Sequence, residues 1–250
     1  MQRYFLKSAI EVVPEQTFEL TGDAVHHWLT VMRAQPGDQA EFVTIARDVA
    51  VGTLVTATKA AATVQVMSVT TPQVELSTPV MIACGVSKGD KTEQIVQRGT
   101  ELGAAGFVFF DCQYAVAKWA PNKRARKLAR LAKIAESAAE QSHRTMVPTV
   151  SYQPDLATLV TAVPHAASVV AWEESAKQGE HSQLVQTLQQ LPTGEPLLAI
   201  FGPEGGLTPA EIETLTAAGV QPAGLGPRIM RAETAPLYLL SAVSFWRELV

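Results

Sequence analysis

Two stretches near the C-terminus combine residue types that could do chemistry. They are Gly202-Pro203-Glu204-Gly205-Gly206 and Leu225-Gly226-Pro227-Arg228-Ile229-Met230-Arg231-Ala232-Glu233-Thr234-Ala235. The first follows an apolar run, Pro196 to Phe201, and precedes Thr208-Pro209-Ala210-Glu211, a helix start with threonine cap, early proline and back-reaching glutamate. Glycines between a strand and a helix let a ligand approach main-chain amides closely. No Gly-Lys-Ser/Thr follows and the spacing is not Gly-x-Gly-x-x-Gly, so neither a nucleoside triphosphate nor a dinucleotide is indicated. Alone, the loop could be a tight turn. The second stretch sets Arg228, Arg231 and Glu233 around Ile229-Met230, just ahead of a helix. A capped helix start would account for Thr234 and Pro236, but not for two arginines around an apolar dipeptide. Segments of this kind at strand exits of an α/β pattern are where ligands bind in open parallel sheets. The chain therefore reads as an enzyme or ligand binder.

The elements that must position these residues follow from periodicity. From Pro79 onward, strands (Val80–Val86, Phe107–Asp111, Ser168–Trp172, Pro196–Phe201, about Val220–Gly224) alternate with helices (Thr92–Leu102, Lys123–Gln141, Gln183–Leu191, Pro209–Ala218, Ala235–Leu249). That rhythm predicts an α/β domain over 79–250, with a mostly parallel sheet covered on both faces. Residues 1 to about 72 read differently: alternating or β-branched runs at 18–20, 39–45, 49–55 and 63–69, with one helix over Asp23–Met32, suggest a small β-barrel. Residues 73–78 read as a linker in a region rich in turn formers.

At 250 residues, 47% hydrophobic and 18% charged, the composition is that of a soluble globular protein with ample core. No apolar run approaches the roughly 20 residues of a membrane span, and the opening Met1–Lys7 lacks a signal peptide's apolar stretch. A cytoplasmic location is the expectation, with no membrane partner. Cys84 and Cys112 read as reduced core thiols. The histidines, including the adjacent His26 and His27, lack partners at ligand spacing, so no metal is expected.

The net charge of −4 argues against broad nucleic-acid binding, yet seven of the 20 basic residues crowd into the 16 positions from Lys118 to Lys133. On a helix, Lys123, Arg126, Arg130 and Lys133 share one face, opposite Leu128, Leu131, Ala135 and Ala138. Such a face is either a solvated surface or the footprint of a polyanion.

Taken in order, Arg3-Tyr4-Phe5, His26-His27 through Val31-Met32-Arg33, Pro36-Gly37-Asp38, Lys88-Gly89-Asp90-Lys91, Thr100-Glu101-Leu102-Gly103, Ala139-Glu140-Gln141-Ser142 with Arg144, Gly202–Gly206 and Leu225–Ala235 give the chain a specific signature along its whole length. In this it resembles the RsmE family of ribosomal RNA small-subunit methyltransferases, within the SPOUT superfamily. The resemblance implies a SPOUT-type, mostly parallel α/β domain with a C-terminal trefoil knot, a PUA-like RNA-binding barrel at the N-terminus, and a homodimer. It also implies S-adenosylmethionine as cofactor, contacted by Ala171, Trp172 and Glu173, by Phe201, Gly202, Pro203, Glu204, Gly205 and Gly206, and by Leu225, Gly226, Arg228, Ile229, Met230, Thr234 and Ala235. Arg3, Arg33, Lys88, Lys91, Lys123, Arg126, Arg130, Lys133, Gln141 and Arg144 would face ribosomal RNA.

The reaction expected from the resemblance is methylation of N3 of one uridine in small-subunit ribosomal RNA, acting on the assembled small subunit. The N3 proton must leave before or during attack. Arg231 is the candidate for stabilising the uracil anion and Glu233 for accepting the proton, with support of the loop as the alternative for Glu233. Two other readings stay open: a related methyltransferase acting on transfer RNA or on ribose 2′-hydroxyls, and an inactive RNA-binding assembly factor. The chain departs from the family at Cys112-Gln113-Tyr114-Ala115-Val116, where an arginine-containing stretch is usual; Arg98 and Met230 stand where lysine and leucine are common.

Overall fold

The computed structural model describes residues 1–177, 179–180 and 182–250. The chain forms two compact units: Met1–Glu75 with Ala139–Met146, and Leu76–Ala138 with Val147–Val250. The boundary falls inside the stretch read as a linker. The grouping of Ala139–Met146 with the first unit is a feature that sequence rhythm does not carry.

The first unit holds five strands, β1 (Gln2–Phe5), β2 (Thr17–Thr21), β3 (Gln39–Val43), β4 (Val49–Ala57) and β5 (Ala61–Thr70), in the order β1-β3-β4-β5-β2. All pairs are antiparallel except β1 with β3. β1 and β2 are the outer strands of this ladder, and the curled, barrel-like sheet fits the small β-barrel expected for residues 1 to about 72. The single helix, α1 (Asp23–His26), continues as a π-turn through Val31. Its Trp28 meets Phe42 of β3 edge-on at 5.5 Å, and Tyr4 and Phe18 close around the same ring. β1 escaped the periodicity reading because four residues are too few to show alternation.

The second unit holds a six-stranded, wholly parallel sheet: β6 (Val80–Gly85), β7 (Gly106–Phe110), β8 (Thr149–Gln153), β9 (Ala167–Ala171), β10 (Leu197–Phe201) and β11 (Gln221–Ala223), ordered β11-β9-β10-β6-β7-β8. Alternate residues bury into opposite faces. Ile82, Phe107, Phe109, Leu197 and Ala199 meet α2 (Lys91–Glu101), α3 (Pro121–Gln141), α6 (Gln183–Gln190) and α8 (Ala235–Ser244). Ala83, Val108, Phe110, Leu198 and Ile200 meet α4 (Leu156–Ala162) and α7 (Pro209–Ala217). Two-sided burial is why these strands read as continuous apolar runs. β8 is only partly buried, and it and α4 were not foreseen. The short α5 (Glu173–Lys177) follows β9, and α8 continues as a π-turn to Leu249. Among the described residues no helix is long and apolar enough to cross a membrane.

The topology creates a crevice. From β6 the chain passes through α2 to β7 on one side; from β10 it passes through α7 to β11 on the other. Adjacent β6 and β10 thus send their exits in opposite directions, and ligands of such sheets bind at that reversal.

Two residues expected to face RNA are instead structural parts of the first unit. Arg3, 5% exposed, bonds Glu41 at 2.9 Å and the carbonyl oxygens of His143 and Arg144. Arg144, 4% exposed, donates to Glu75, whose other oxygen accepts the amides of Thr145 and Met146 at 2.8 and 3.1 Å. Both guanidiniums are buried and held by these partners, so neither is offered to a phosphate. Replacing Glu75 by alanine would strand a buried guanidinium and two amides. Denaturant unfolding should then show a loss of about 3–5 kcal/mol, against little change for a substitution at exposed Glu19.

Candidate active site

The site grows from the C-terminal ends of β9, β10 and β11. Phe201, the last residue of β10, is in register with Cys84 of β6 on one side and Ala171 of β9 on the other. Behind Phe201 the glycine loop turns into α7. Gly206 sits at φ 74°, a left-handed angle that favours glycine, and its amide closes a turn onto the Pro203 carbonyl at 2.9 Å. The loop is anchored beyond by the expected capping box: Thr208 Oγ1 accepts the Glu211 amide at 3.2 Å while Glu211 Oε2 accepts the Thr208 amide at 2.8 Å. The other oxygen of Glu211 takes the Gln113 amide at 2.8 Å, fixing the stretch that departs from the family pattern. There Tyr114, 49% exposed, lies so close that a Cβ on Gly205 would come within 2.9 Å of its backbone oxygen. Glycine at 205 therefore admits Tyr114, not only a ligand.

A cleft of about 940 Å³ opens here. Ala171, Trp172 and Glu173 line it from β9, Phe201 to Gly206 from the glycine loop, and Leu225, Gly226, Arg228, Ile229, Met230, Arg231 and Ala235 from the segment before α8. Trp172 is held by its amide on the Ala223 carbonyl at 3.1 Å, and the Gly224 amide donates to Glu180 at 2.7 Å, which joins the β9 and β11 exits. Thr234 does not line the cleft and makes no side-chain cap; its amide donates to the Arg231 carbonyl at 2.9 Å, forming the turn that leads into α8. The cap expected from sequence is thus replaced by a backbone turn with Pro236 behind it.

Arg228 and Arg231 are exposed at the cleft and form no ion pair among the described residues. Glu233 lies behind the lining, and its buried Oε2 makes no hydrogen bond. The nearest cation is Lys91, the first residue of α2: its Nζ is 2.9 Å from Glu204 Oε1 and 3.5 Å from Glu233 Oε2. Lys91, expected among the RNA contacts, thus lines the cleft instead. Its hydrogen bond to Glu204 holds its pKa above the ordinary value, with Glu233 adding to the effect. Partial burial works against ionisation of Glu204, but Lys91 and backbone amides outweigh it and lower its pKa. Glu174, Ala176, Lys177, Leu207 and Pro209 also line the cleft and were missed. Their only sequence signal is that they sit one turn beyond a strand end.

The remaining expected RNA contacts are dispersed. Lys88 is exposed, and its amide donates to Glu204 at 3.2 Å. Lys123, Arg126 and Lys133 are exposed along α3, with Gln141 at its end. Arg130 is two-thirds exposed but paired with Glu93 of α2 at 2.8 Å. In the first unit Arg33 is exposed at φ 57°. His27 pairs with the Tyr4 hydroxyl at 3.0 Å. Among the described residues no three His, Cys, Asp or Glu side chains cluster for a metal. Both thiols are buried; burial pushes Cys84 well above the ordinary range and Cys112 up to about 12, so both stay protonated at neutral pH.

An α/β unit with an open cleft at the strand exits, walled by a glycine loop and an arginine-bearing turn, has the form of a group-transfer enzyme. Comparison with known proteins names the group. A family model described as an RNA methyltransferase domain matches residues 74–244. Over the whole chain the sequence is 45% identical to ribosomal RNA small subunit methyltransferase E of Bacillus subtilis, covering 98% of that protein. It is 32% identical to the protein of that name from Synechocystis, over 96% of this chain and 77% of the other. The crystal structure of ribosomal RNA small subunit methyltransferase E from Neisseria gonorrhoeae, bound to S-adenosyl methionine, superposes with a TM-score of 0.81 at 25% identity over 98% of each chain. The chain belongs to the RNA methyltransferase family, among the ribosomal RNA small subunit methyltransferase E proteins, and is an enzyme.

The lowered pKa of Glu204 gives the cleft wall a pH signature. Its share of stability is full above the ordinary value of 4.5 and is lost as pH falls through the lower folded value. Thermal melts between about pH 5 and pH 3 should therefore fall less steeply for Glu204→Gln than for the native protein, by a modest amount since the pair is partly exposed.

Proposed function

We propose that the protein methylates N3 of one uridine in small-subunit ribosomal RNA, with S-adenosylmethionine as donor and the assembled small subunit as substrate, in the cytoplasm. The observation that carries the reading is the cleft itself, which joins the glycine loop, the β9 exit and the Arg231 turn in one wall. Its residues fit the cofactor: a volume within the 300–1,000 Å³ usual for small-molecule sites, the backbone of the Gly202–Gly206 loop, the Glu173 carboxylate, and apolar Leu225, Ile229 and Met230. Bound there, S-adenosylmethionine would supply a methyl group already activated on a sulfonium. The protein's part is then to orient the uracil, exclude water and handle the N3 proton. Arg231, without a carboxylate partner, is available to stabilise the uracil anion. Glu233, behind the cleft wall, is the candidate proton acceptor, with support of the turn as its alternative role.

The family resemblance supports a PUA-like role for the first unit in binding RNA and a trefoil knot around Leu225–Ala235. It also supports a homodimer. Ile229, Tyr238, Phe245 and Leu249, on or beside α8, are 44–75% exposed, an apolar surface suited to a second copy. Along α3, Lys123, Arg126 and Lys133 present cations that phosphates would satisfy.

The substrate is tested by mass-spectrometric mapping of modified uridines in small-subunit RNA, with and without the protein: one N3-methyluridine should depend on it, and an unchanged map refutes the reading. Arg231→Ala should lose roughly a hundred- to thousandfold in turnover, as removal of a transition-state donor does, while calorimetry shows a much smaller change in S-adenosylmethionine affinity. Replacing Lys123, Arg126 and Lys133 by glutamine should weaken RNA binding and flatten its salt dependence, each phosphate contact being worth about one unit of slope. Sedimentation should show a dimer at micromolar concentration, and Phe245→Glu should shift it toward monomer.

A further inference from the structure

We propose that Lys91 is a positioning residue for methyl transfer, its ammonium tying the glycine loop to the turn that carries Arg231 and Glu233. The proposal rests on the reading of that turn as the reactive side of the cleft. Three segments far apart in sequence meet at this one group: α2 supplies the lysine, the β10 exit supplies Glu204 at 2.9 Å, and the turn before α8 supplies Glu233 at 3.5 Å. Glu204 Oε1 also accepts the Lys88 amide at 3.2 Å, so the β6 exit is drawn into the same knot of contacts. A single ammonium thus stands within ion-pair distance of two carboxylates at once.

Glu233 shows why the lysine matters. Its Oε2 is buried and receives no hydrogen bond, and Lys91 is the cation within ion-pair distance of it. A buried carboxylate oxygen in that state is costly unless a charge compensates it. Lys91 supplies that charge and thereby holds Glu233, two residues from the arginine that borders the cleft. The same arithmetic argues against a phosphate contact. One ammonium between two carboxylates leaves the cluster with a net negative charge, which repels RNA backbone. Nor is it an inert surface pair, since lysine and both glutamates are each about a quarter exposed and the lysine and Glu204 line the cleft.

The test compares Lys91→Met, Lys91→Arg, Glu204→Gln, Glu233→Gln and the double variant Lys91→Met/Glu233→Gln, with Arg231→Ala as the control on the turn. Thermal unfolding establishes that each is folded, calorimetry gives S-adenosylmethionine affinity, and single-turnover and steady-state assays give kcat and the KM for RNA. Lys91→Met should lower kcat on the order of 10- to 100-fold, the effect of a displaced reactive group, with the KM for RNA and its salt dependence unchanged and cofactor affinity falling far less than turnover. Lys91→Arg should restore much of the rate. Glu204→Gln, which removes one anchor and leaves the lysine, should lose rate in the same direction. The double variant should be no slower than the slower single, since both changes release the same turn. Native kinetics for Lys91→Met, a raised KM for RNA at native kcat, or additive losses in the double variant would each overturn the proposal. Full turnover by Arg231→Ala would remove the reading of the turn itself, and the proposal with it.

Discussion

The cleft depends on one piece of register: β10 pairs with β6 on one side and β9 on the other, so that Phe201 and Ala171 end together and Cys84 stands beside them, one residue before β6 ends. Parallel strands finishing near one level place their exits side by side, and the chain after β9 and after β10 becomes wall, with Lys91 of α2 beside it. A slip of one residue in β10 would exchange the faces of Leu198 and Ile200 with those of Leu197 and Ala199, and both buried clusters would lose their fit. The apolar packing on the two faces therefore holds the polar edge in place. Because β6 and β10 send their chains in opposite directions, the edge opens instead of being bridged, and the opening is where the glycine loop stands.

Electrostatics then organises what packing leaves open. In an acidic chain, carboxylates hold the parts together: Glu75 gathers Arg144 and two amides, Glu211 caps α7 and takes Gln113, Glu180 holds Gly224, and Glu204 meets Lys91 and Lys88. Among the described residues, the cations without a carboxylate partner include Arg228 and Arg231 at the cleft and Lys123, Arg126 and Lys133 along α3. Charge that is paired builds the fold; charge left unpaired marks the surfaces where an anion would be received.

Much of this was legible in the sequence because it is local. The glycine loop, the Thr208–Glu211 box and the continuous apolar runs of β6, β7, β9 and β10 each declare themselves within a dozen residues. The segments of the cleft wall were legible too, since they directly follow strands. What sequence could not show were partners far along the chain. Arg3 and Arg144 resemble surface cations until Glu41 and Glu75 close on them across 38 and 69 positions. Lys91 resembles a phosphate contact until Glu204 and Glu233 arrive beside it. Partly buried β8 and the four-residue β1 were missed because neither gives a periodic signal. Tyr114, in the stretch that departs from the family pattern, rests against Gly205, a contact that only the folded loop creates.

On the proposed reading, one cleft at the strand exits holds the methyl donor beside the Arg231 turn. A crystal structure of the protein with S-adenosylmethionine tests it most directly. The ligand is expected between the Gly202–Gly206 loop and Leu225–Met230, with its methyl group facing Arg231. Ligand bound elsewhere, or a methyl group turned away from that arginine, would contradict it.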